Sequence, residues 1–362
     1  MNGQKMNQNV TIRPIRDDEQ SEAKWVMRRA FSRPTWLFFS WSKDVLVAEH
    51  EGRIVGGTVL KTFTLPKGRK VGFVYWLFTD PEARGLGAGQ GLIEGALDFF
   101  AAQGCDEVSA CVEGFNTSSS KVFATRGFTI LSMGEQLRRY GLNFIPYWWH
   151  SFHFMDVGHF LWAKPGAERP DSPALQWFGT WLINVLLLWL SVWRSGGWGR
   201  SDLWTIPAAF LLLFGLRSLA MWGTARLQGL AVRFRAWESS MTLVAAIALL
   251  FGGFFPFPGS FYPVEERWRY RELLPKIGPM ALAGTLVSLL LAWGSWAALH
   301  WNGAPGLTSP LSVLLALSRM LAVLETVVAF FPLISFNGRR IWDWNRIIWG
   351  VVSLAAVALI LV

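Results

Sequence analysis

In this 362-residue chain, Arg84-Gly85-Leu86-Gly87-Ala88-Gly89 is the stretch whose residue types and spacing could do chemistry. Glycines recur at every second position through a bend headed by an arginine. The apolar run Val71 to Phe78 before it predicts a strand ending in a turn at Asp80-Pro81, and Leu92, Ile93 and Leu97 after it fall at helical spacing. Strand, glycine bend and helix N-terminus together make a site for a phosphorylated ligand. The first N–H groups of a helix lack internal partners, and the helix dipole places positive potential there. Glycines let the backbone approach a pyrophosphate without Cβ clashes. The spacing differs from two commoner phosphate loops. No Lys-Ser/Thr pair follows, and no Gly-x-Gly-x-x-Gly opens the helix in the usual register.

Arg84-x-x-Gly87-x-Gly89 resembles the acyl-CoA loop of the GNAT N-acyltransferases, and the resemblance continues downstream. Asn116 is followed seven residues later by Phe123 and then by Gly127-Phe128, which looks like that family's second CoA-contact segment. Upstream, Val10 to Ile15 predicts a first strand, Asp17 to Phe31 a helix, and Val45 to Gly57 a hairpin, in the family's element order. Glu107 to Val112 and Phe128 to Ser132 predict further strands, Gln136 to Tyr140 a continuation of the sheet, and Val157 to Lys164 the last strand.

The resemblance implies an acetyl-CoA or other acyl-CoA cofactor. Backbone N–H groups from Arg84, Gly85, Leu86, Gly87, Ala88 and Gly89 would cradle the pyrophosphate, and Asn116 would contact the pantetheine arm. An N–H near Leu77, Phe78 and Thr79 would polarise the thioester carbonyl. The sequence departs from the family at Phe123, where a tyrosine commonly protonates the leaving thiolate. Glu113 is a candidate base, directly or through water, and Tyr75 a second; each serves equally well as a structural residue.

Hydrophobic content of 52% and 22 tryptophans are high for a soluble protein, and the apolarity is uneven. The first 170 residues are mixed, whereas the remainder alternates long apolar runs with short basic loops. We expect an acyl-CoA-binding domain over residues 1–168 and a membrane domain over 169–362, joined by a linker from Pro165 to Pro173. The polar start up to Val10 shows no signal-peptide pattern. The net charge of +9 is assigned to cytoplasmic loops rather than to nucleic acid. Cys105 and Cys111 are read as reduced core residues without a function.

The tract Phe144 to Met155 is aromatic enough for a membrane interface. His150, His153, Asp156 and His159 recur every three residues, but neither helix nor strand geometry turns all four toward one ion, so no metal is expected.

Expected spans are Ala174 to Trp193, Leu203 to Trp222, Pro279 to Leu299, Thr308 to Phe331 and Ile347 to Val362. Met241 to Pro258 is shorter and broken by Gly252-Gly253, Pro256 and Pro258. Five spans with this segment re-entrant place Arg226, Arg233, Arg235, Arg267, Arg269, Arg271, Lys276, Arg339 and Arg340 in the cytoplasm with the N-terminal domain. Six spans are the alternative. The expected fold is thus an α+β GNAT acyltransferase domain followed by an all-α polytopic transmembrane domain.

Within the apolar half, Ala225 to Gly229 with Val232 to Trp237 looks like the segment after the zinc-binding helix of site-2-protease-like membrane metalloproteases. Phe257-Pro258-Gly259, Ile277-Gly278-Pro279 opening a helix, Phe331 to Arg339 and Trp344 to Trp349 follow in that family's order. Such enzymes need two helical histidines, a glutamate base and a distant aspartate. Here those positions read Arg217, Met221, Ser218 and Asn337, so proteolysis is not expected. Arg217, Arg319 and Glu325 lie inside expected spans. A buried Arg–Glu cross-link and an anion-holding Arg217 are both open.

The expectation is a multi-pass cell-membrane N-acyltransferase acting on an amine presented at the bilayer, on a lipid or a membrane protein. The alternative is a non-catalytic acyl-CoA sensor signalling to a membrane partner. The glycine loop and Asn116 serve both, whereas Phe123 and the missing zinc ligands favour the sensor.

Overall fold

The computed structural model describes residues 10–169, 172–197, 199–265, 268–302, 310–326 and 333–362. Residues 170 and 171 of the expected linker, Arg267, the ends of the expected span 308–331 and the Phe331-Pro332 pair lie outside them. The chain divides into two compact units. The first holds Met1–Val112, Ser118–His153 and Phe160–Pro170; the second holds Glu113–Thr117, Phe154–His159 and Asp171–Val362.

In the first unit, strand β1 (Val10–Pro14) leads to helices α1 (Gln20–Ala30) and α2 (Arg33–Trp36), then strands β2 (Asp44–His50), β3 (Arg53–Thr64) and β4 (Lys70–Thr79). Helix α3 (Ala88–Ala102), strand β5 (Glu107–Glu113), helix α4 (Thr117–Ala124) and the short strand β6 (Thr129–Ile130) follow. Helices α5 (Met133–Tyr140) and α6 (Phe144–Ser151) precede the last strand, β7 (His159–Lys164). The sheet runs β1-β2-β3-β4-β5-β7-β6, antiparallel from β1 to β4 and parallel between β4 and β5.

Alternation of side chains sorts the sheet's two faces. Gly72 on β4 leaves room for the Phe100 ring of α3, which a Cβ there would meet at 2.4 Å. On the opposite face Phe63, Val71 and Phe73 pack with Tyr147 and Trp148 of α6. The parallel ladder between β4 and β5 runs from Val71–Glu107 to Val74–Ala110, although β4 continues to Thr79 and β5 to Glu113. A bulge facing Val59/Leu60 makes Tyr75 an extra residue just past that last rung.

Gln136 to Tyr140 does not continue the sheet. Ser132 caps α5 by accepting from Glu135 N at 3.4 Å, Glu135 ion-pairs with Arg138 and Arg139 one turn on, and buried Gln136 bonds back to Leu131 O. Local capping and side-chain pairing at helical spacing override the strand-like composition.

The second unit contains helices α7 (Pro173–Arg194) and α8 (Asp202–Leu227), strand β8 (Val232–Arg235), helix α9 (Glu238–Phe251) and strand β9 (Ser260–Pro263). Helices α10 (Tyr270–Asn302), α11 (Pro310–Thr326), α12 (Gly338–Trp344) and α13 (Arg346–Leu361) complete it. By length and composition α7, α8 and α10 are long and apolar enough to cross a membrane, whereas α9 and α13 are shorter apolar helices. Helix α10 does not open at Ile277-Gly278-Pro279 as expected. It begins at Tyr270 and runs through Pro275 and Pro279. Strands β8 and β9 pair antiparallel, Val232 with Pro263 through Arg235 with Ser260. The intervening segment with α9 therefore leaves from and returns to one small sheet.

Candidate active site

A cleft of about 920 Å³ is lined by the C-terminal end of β4, the loop after it, the first turns of α3, and Ser118, Ser119 and Val122 of α4. The loop is rooted at Asp80, whose N–H donates to Val55 O at 2.8 Å and whose side chain accepts from Glu82 N at 2.9 Å. Arg29 pairs with both Asp80, at 3.3 Å, and Glu82, at 2.6 Å. Beyond that root Gly85 and Gly87 adopt φ of 93° and 82°, a region costly for residues with a Cβ. Helix α3 has no side-chain cap at Gly87. Among the described residues, none of the backbone N–H groups from Arg84 to Gly89 donates to a protein acceptor. An uncapped helix start with spare amides is a receptor for an anionic group.

The fold brings Leu77, Phe78, Thr79, Arg84, Gly85, Leu86, Gly87, Ala88 and Gly89 together on this one cleft. Phe123, Tyr75, Asn116 and Glu113 are not among its lining residues. Phe123 is buried, and its ring packs edge-on against Phe128 at 5.1 Å. Tyr75, at the bulge, accepts from Ser40 Oγ at 3.3 Å, and Lys61 Nζ stands 3.2 Å over its ring. Burial pushes the Lys61 amine below the ordinary lysine range.

Asn116 and Glu113 belong to the short segment of the second unit. The N–H of Asn116 donates to Glu113 O at 2.9 Å. The Glu113 carboxylate accepts from Phe115 N at 2.9 Å, Ser335 Oγ at 2.9 Å and Arg340 Nη2 at 3.1 Å. A carboxylate engaged by three donors is arranged as an anchor for charge. Arg340, expected only among the basic residues on the cytoplasmic side, is buried. It lies 3.7 Å over the Phe115 ring and donates to the carbonyls of Ile334 and Phe336 at 2.5 Å.

One pair escaped the sequence reading. Cys111 Sγ and His153 Nδ1 lie 3.2 Å apart, on β5 and just after α6. Their separation of 42 residues leaves no local signal to join them.

The second unit holds a buried polar cluster. Arg217 Nε on α8 donates to Glu325 Oε1 on α11 at 2.6 Å, and Nη1 reaches Gly259 O at 3.3 Å. Asn337 Nδ2 donates to the same Glu325 oxygen at 2.9 Å, and Ser288 Oγ to the other at 3.0 Å. A Cβ on Gly284 would meet Met221 Sδ at 2.8 Å and Asn337 Nδ2 at 3.1 Å. Asn337 thus joins Arg217 and Met221, which stand one turn apart on α8. Ser218 turns away and accepts from Trp177 Nε1 at 2.9 Å. Arg319 is tied by Nη1 to Leu359 O at 3.3 Å.

Residues 12–128 match the model of the Acetyltransferase (GNAT) family. A mycothiol acetyltransferase of Thermobispora bispora is 27% identical over 124 residues, which is 34% of this chain and 42% of that relative's length. A protein of Methanocaldococcus jannaschii named as a zinc metalloprotease is 29% identical over 146 residues, 38% of this chain and 68% of that protein. Among solved structures, the NatC complex bound to Gag peptide and CoA is similar at 19% identity and a TM-score of 0.31, over 43% of this chain and 97% of that chain. The family match supports an α/β GNAT acetyltransferase domain in the N-terminal part, followed by a helical C-terminal part with three candidate apolar helices.

Proposed function

We propose that the chain is a membrane-anchored N-acyltransferase that moves an acetyl or other acyl group from acyl-CoA to an amine at the bilayer. The observation that carries this reading is the run of undonated N–H groups from Arg84 to Gly89 on the cleft, within the stretch that matches the acetyltransferase family. The pyrophosphate would sit on those amides, and the acyl arm would run along Leu77 to Thr79. Three apolar helices of spanning length support the membrane anchor. The excursion through α9, which returns to the β8–β9 sheet, supports a re-entrant segment rather than a further span. The N-terminal domain would face the cytoplasm.

Acyl-CoA-dependent thiol release by the purified full-length protein, with membrane extract as acceptor, tests the reading. Release by the wild type and not by Gly89→Glu is expected. Tight binding of acyl-CoA without release across several chain lengths would point instead to the sensor, which buried Phe123 favours because it offers no hydroxyl to the leaving thiolate.

We further infer that the second unit derives from a membrane metalloprotease whose metal centre has been replaced by an ion pair. The meeting of Arg217 and Asn337 on Glu325, with Met221 and Asn337 both against Gly284, supports it, as does the similarity to a protein named as a zinc metalloprotease. Stoichiometric zinc in the purified protein, lost on Glu325→Gln, would overturn that origin for the cluster.

A further inference from the structure

The first residues past the last β4–β5 rung are Tyr75 on β4 and Cys111 on β5. Both pack against the same apolar cluster under α6, so they share one face of the sheet. An acyl-CoA with its pyrophosphate on Arg84 to Gly89 would send its arm back along β4 toward this step. Tyr75 lies two residues, or roughly 7 Å, from Leu77 on the cleft wall.

Two of the groups that could run a direct attack are poorly placed. Glu113 is already bonded to Ser335 and Arg340, and Phe123 is buried and has no hydroxyl. Cys111, in contrast, is half-buried and holds the His153 imidazole at hydrogen-bond distance. A cysteine with an adjacent imidazole is the arrangement that activates a thiol nucleophile. Cys105 lies two residues before β5, where burial pushes its thiol up.

We propose that Cys111, with His153 as its base, is a covalent way-station for the acyl group. The proposal rests on the acyltransferase reading above. In the first step the Cys111 proton passes to His153, and Sγ attacks the thioester carbonyl of acyl-CoA. The bond from that carbon to the CoA sulfur breaks, and the proton held by His153 goes to the departing CoA thiolate. The products are S-acyl-Cys111 and free CoA. In the second step an amine attacks the new thioester and Cys111 leaves. The amine's surplus proton returns through His153 to Sγ. No oxidant or further reactant is needed.

Incubating the full-length protein in detergent with acetyl-CoA and no acceptor tests this by intact-protein mass spectrometry. One acetyl group is expected on Cys111, removable by neutral hydroxylamine and discharged by added membrane extract. Cys105→Ser retains the adduct, and Cys111→Ser lacks it and loses at least about tenfold in turnover. His153→Gln slows adduct formation with acetyl-CoA affinity unchanged, which a purely structural role would not produce. Turnover without an adduct, and unaffected in Cys111→Ser, would overturn the covalent step while leaving the acyltransferase reading intact. Zinc bound to the wild type and lost in Cys111→Ser would overturn it too, by making the pair metal ligands. Absence of both acetyl-CoA binding and turnover would overturn both readings together.

Discussion

Arg217 and Glu325, 108 residues apart, meet at 2.6 Å with both side chains fully excluded from solvent. An ion pair in that setting is costly to form, and its removal is asymmetric in effect. Losing one partner strands a buried charge, whereas losing both leaves only the neutral Asn337 and Ser288 side chains to find new partners. Arg217→Ala or Glu325→Ala alone should destabilise the protein by about 3–5 kcal/mol. The double variant Arg217→Met/Glu325→Leu should recover most of that loss. Thermal unfolding in detergent decides it, and a double variant no better than the singles would show that the cluster needs its charges.

Glu113 supplies a similar contrast. Arg340 is buried, and Glu113 is its carboxylate partner. Glu113→Gln keeps an acceptor for Arg340 and Ser335, so its melting temperature should stay near the wild type and its thiol release should fall no more than about threefold. Glu113→Leu leaves the guanidinium without that carboxylate and should cost about 3 kcal/mol. A loss of turnover in Glu113→Gln greater than about a hundredfold, with the melting temperature unchanged, would identify Glu113 as the proton acceptor.

The glycine loop separates space from charge. A Cβ at Gly89 meets nothing nearer than Thr79 Cγ2 at 3.6 Å, so Gly89→Ala should bind acetyl-CoA nearly as well as the wild type. Gly89→Glu places a carboxylate among the amides and should abolish binding. At Gly87, φ of 82° makes alanine cost roughly 1–2 kcal/mol even though space is open. Calorimetric titration with CoA and melting temperatures check all three.

Acid stability should have a defined contributor in the first unit. Arg13 bonds Glu19 through Nη1 at 2.7 Å and Nη2 at 2.6 Å, and Arg16 N adds a bond at 2.9 Å. These hold the Glu19 carboxyl down from 4.5 to about 2. Because the folded value is the lower one, the contribution is complete above about 4.5 and is lost as pH falls through about 2. Glu19→Gln should therefore flatten the fall of stability across that window and leave the slope above pH 6 unaltered, as read from urea midpoints against pH. An unchanged acid slope would remove Glu19 from the account.

Local chemistry determined much of this protein in advance. The Val71–Phe78 run, the glycine bend and the Leu92–Leu97 spacing are consecutive, so periodicity and turn residues alone locate the strand, the loop and the helix start. The long apolar helices are legible for the same reason, since their apolarity is continuous along the chain. What tertiary structure alone decided is which distant residues share a site. Composition at Gln136 to Tyr140 cannot show that Glu135 and its arginines close a helix there. Nothing near Glu113 announces Arg340, nothing near Cys111 announces His153, and Arg217 finds Glu325 only when three helices pack. Sequence spacing reports contacts within a turn or a strand step. Pairings across tens or hundreds of residues are set by the packing of whole elements, which closes only in three dimensions.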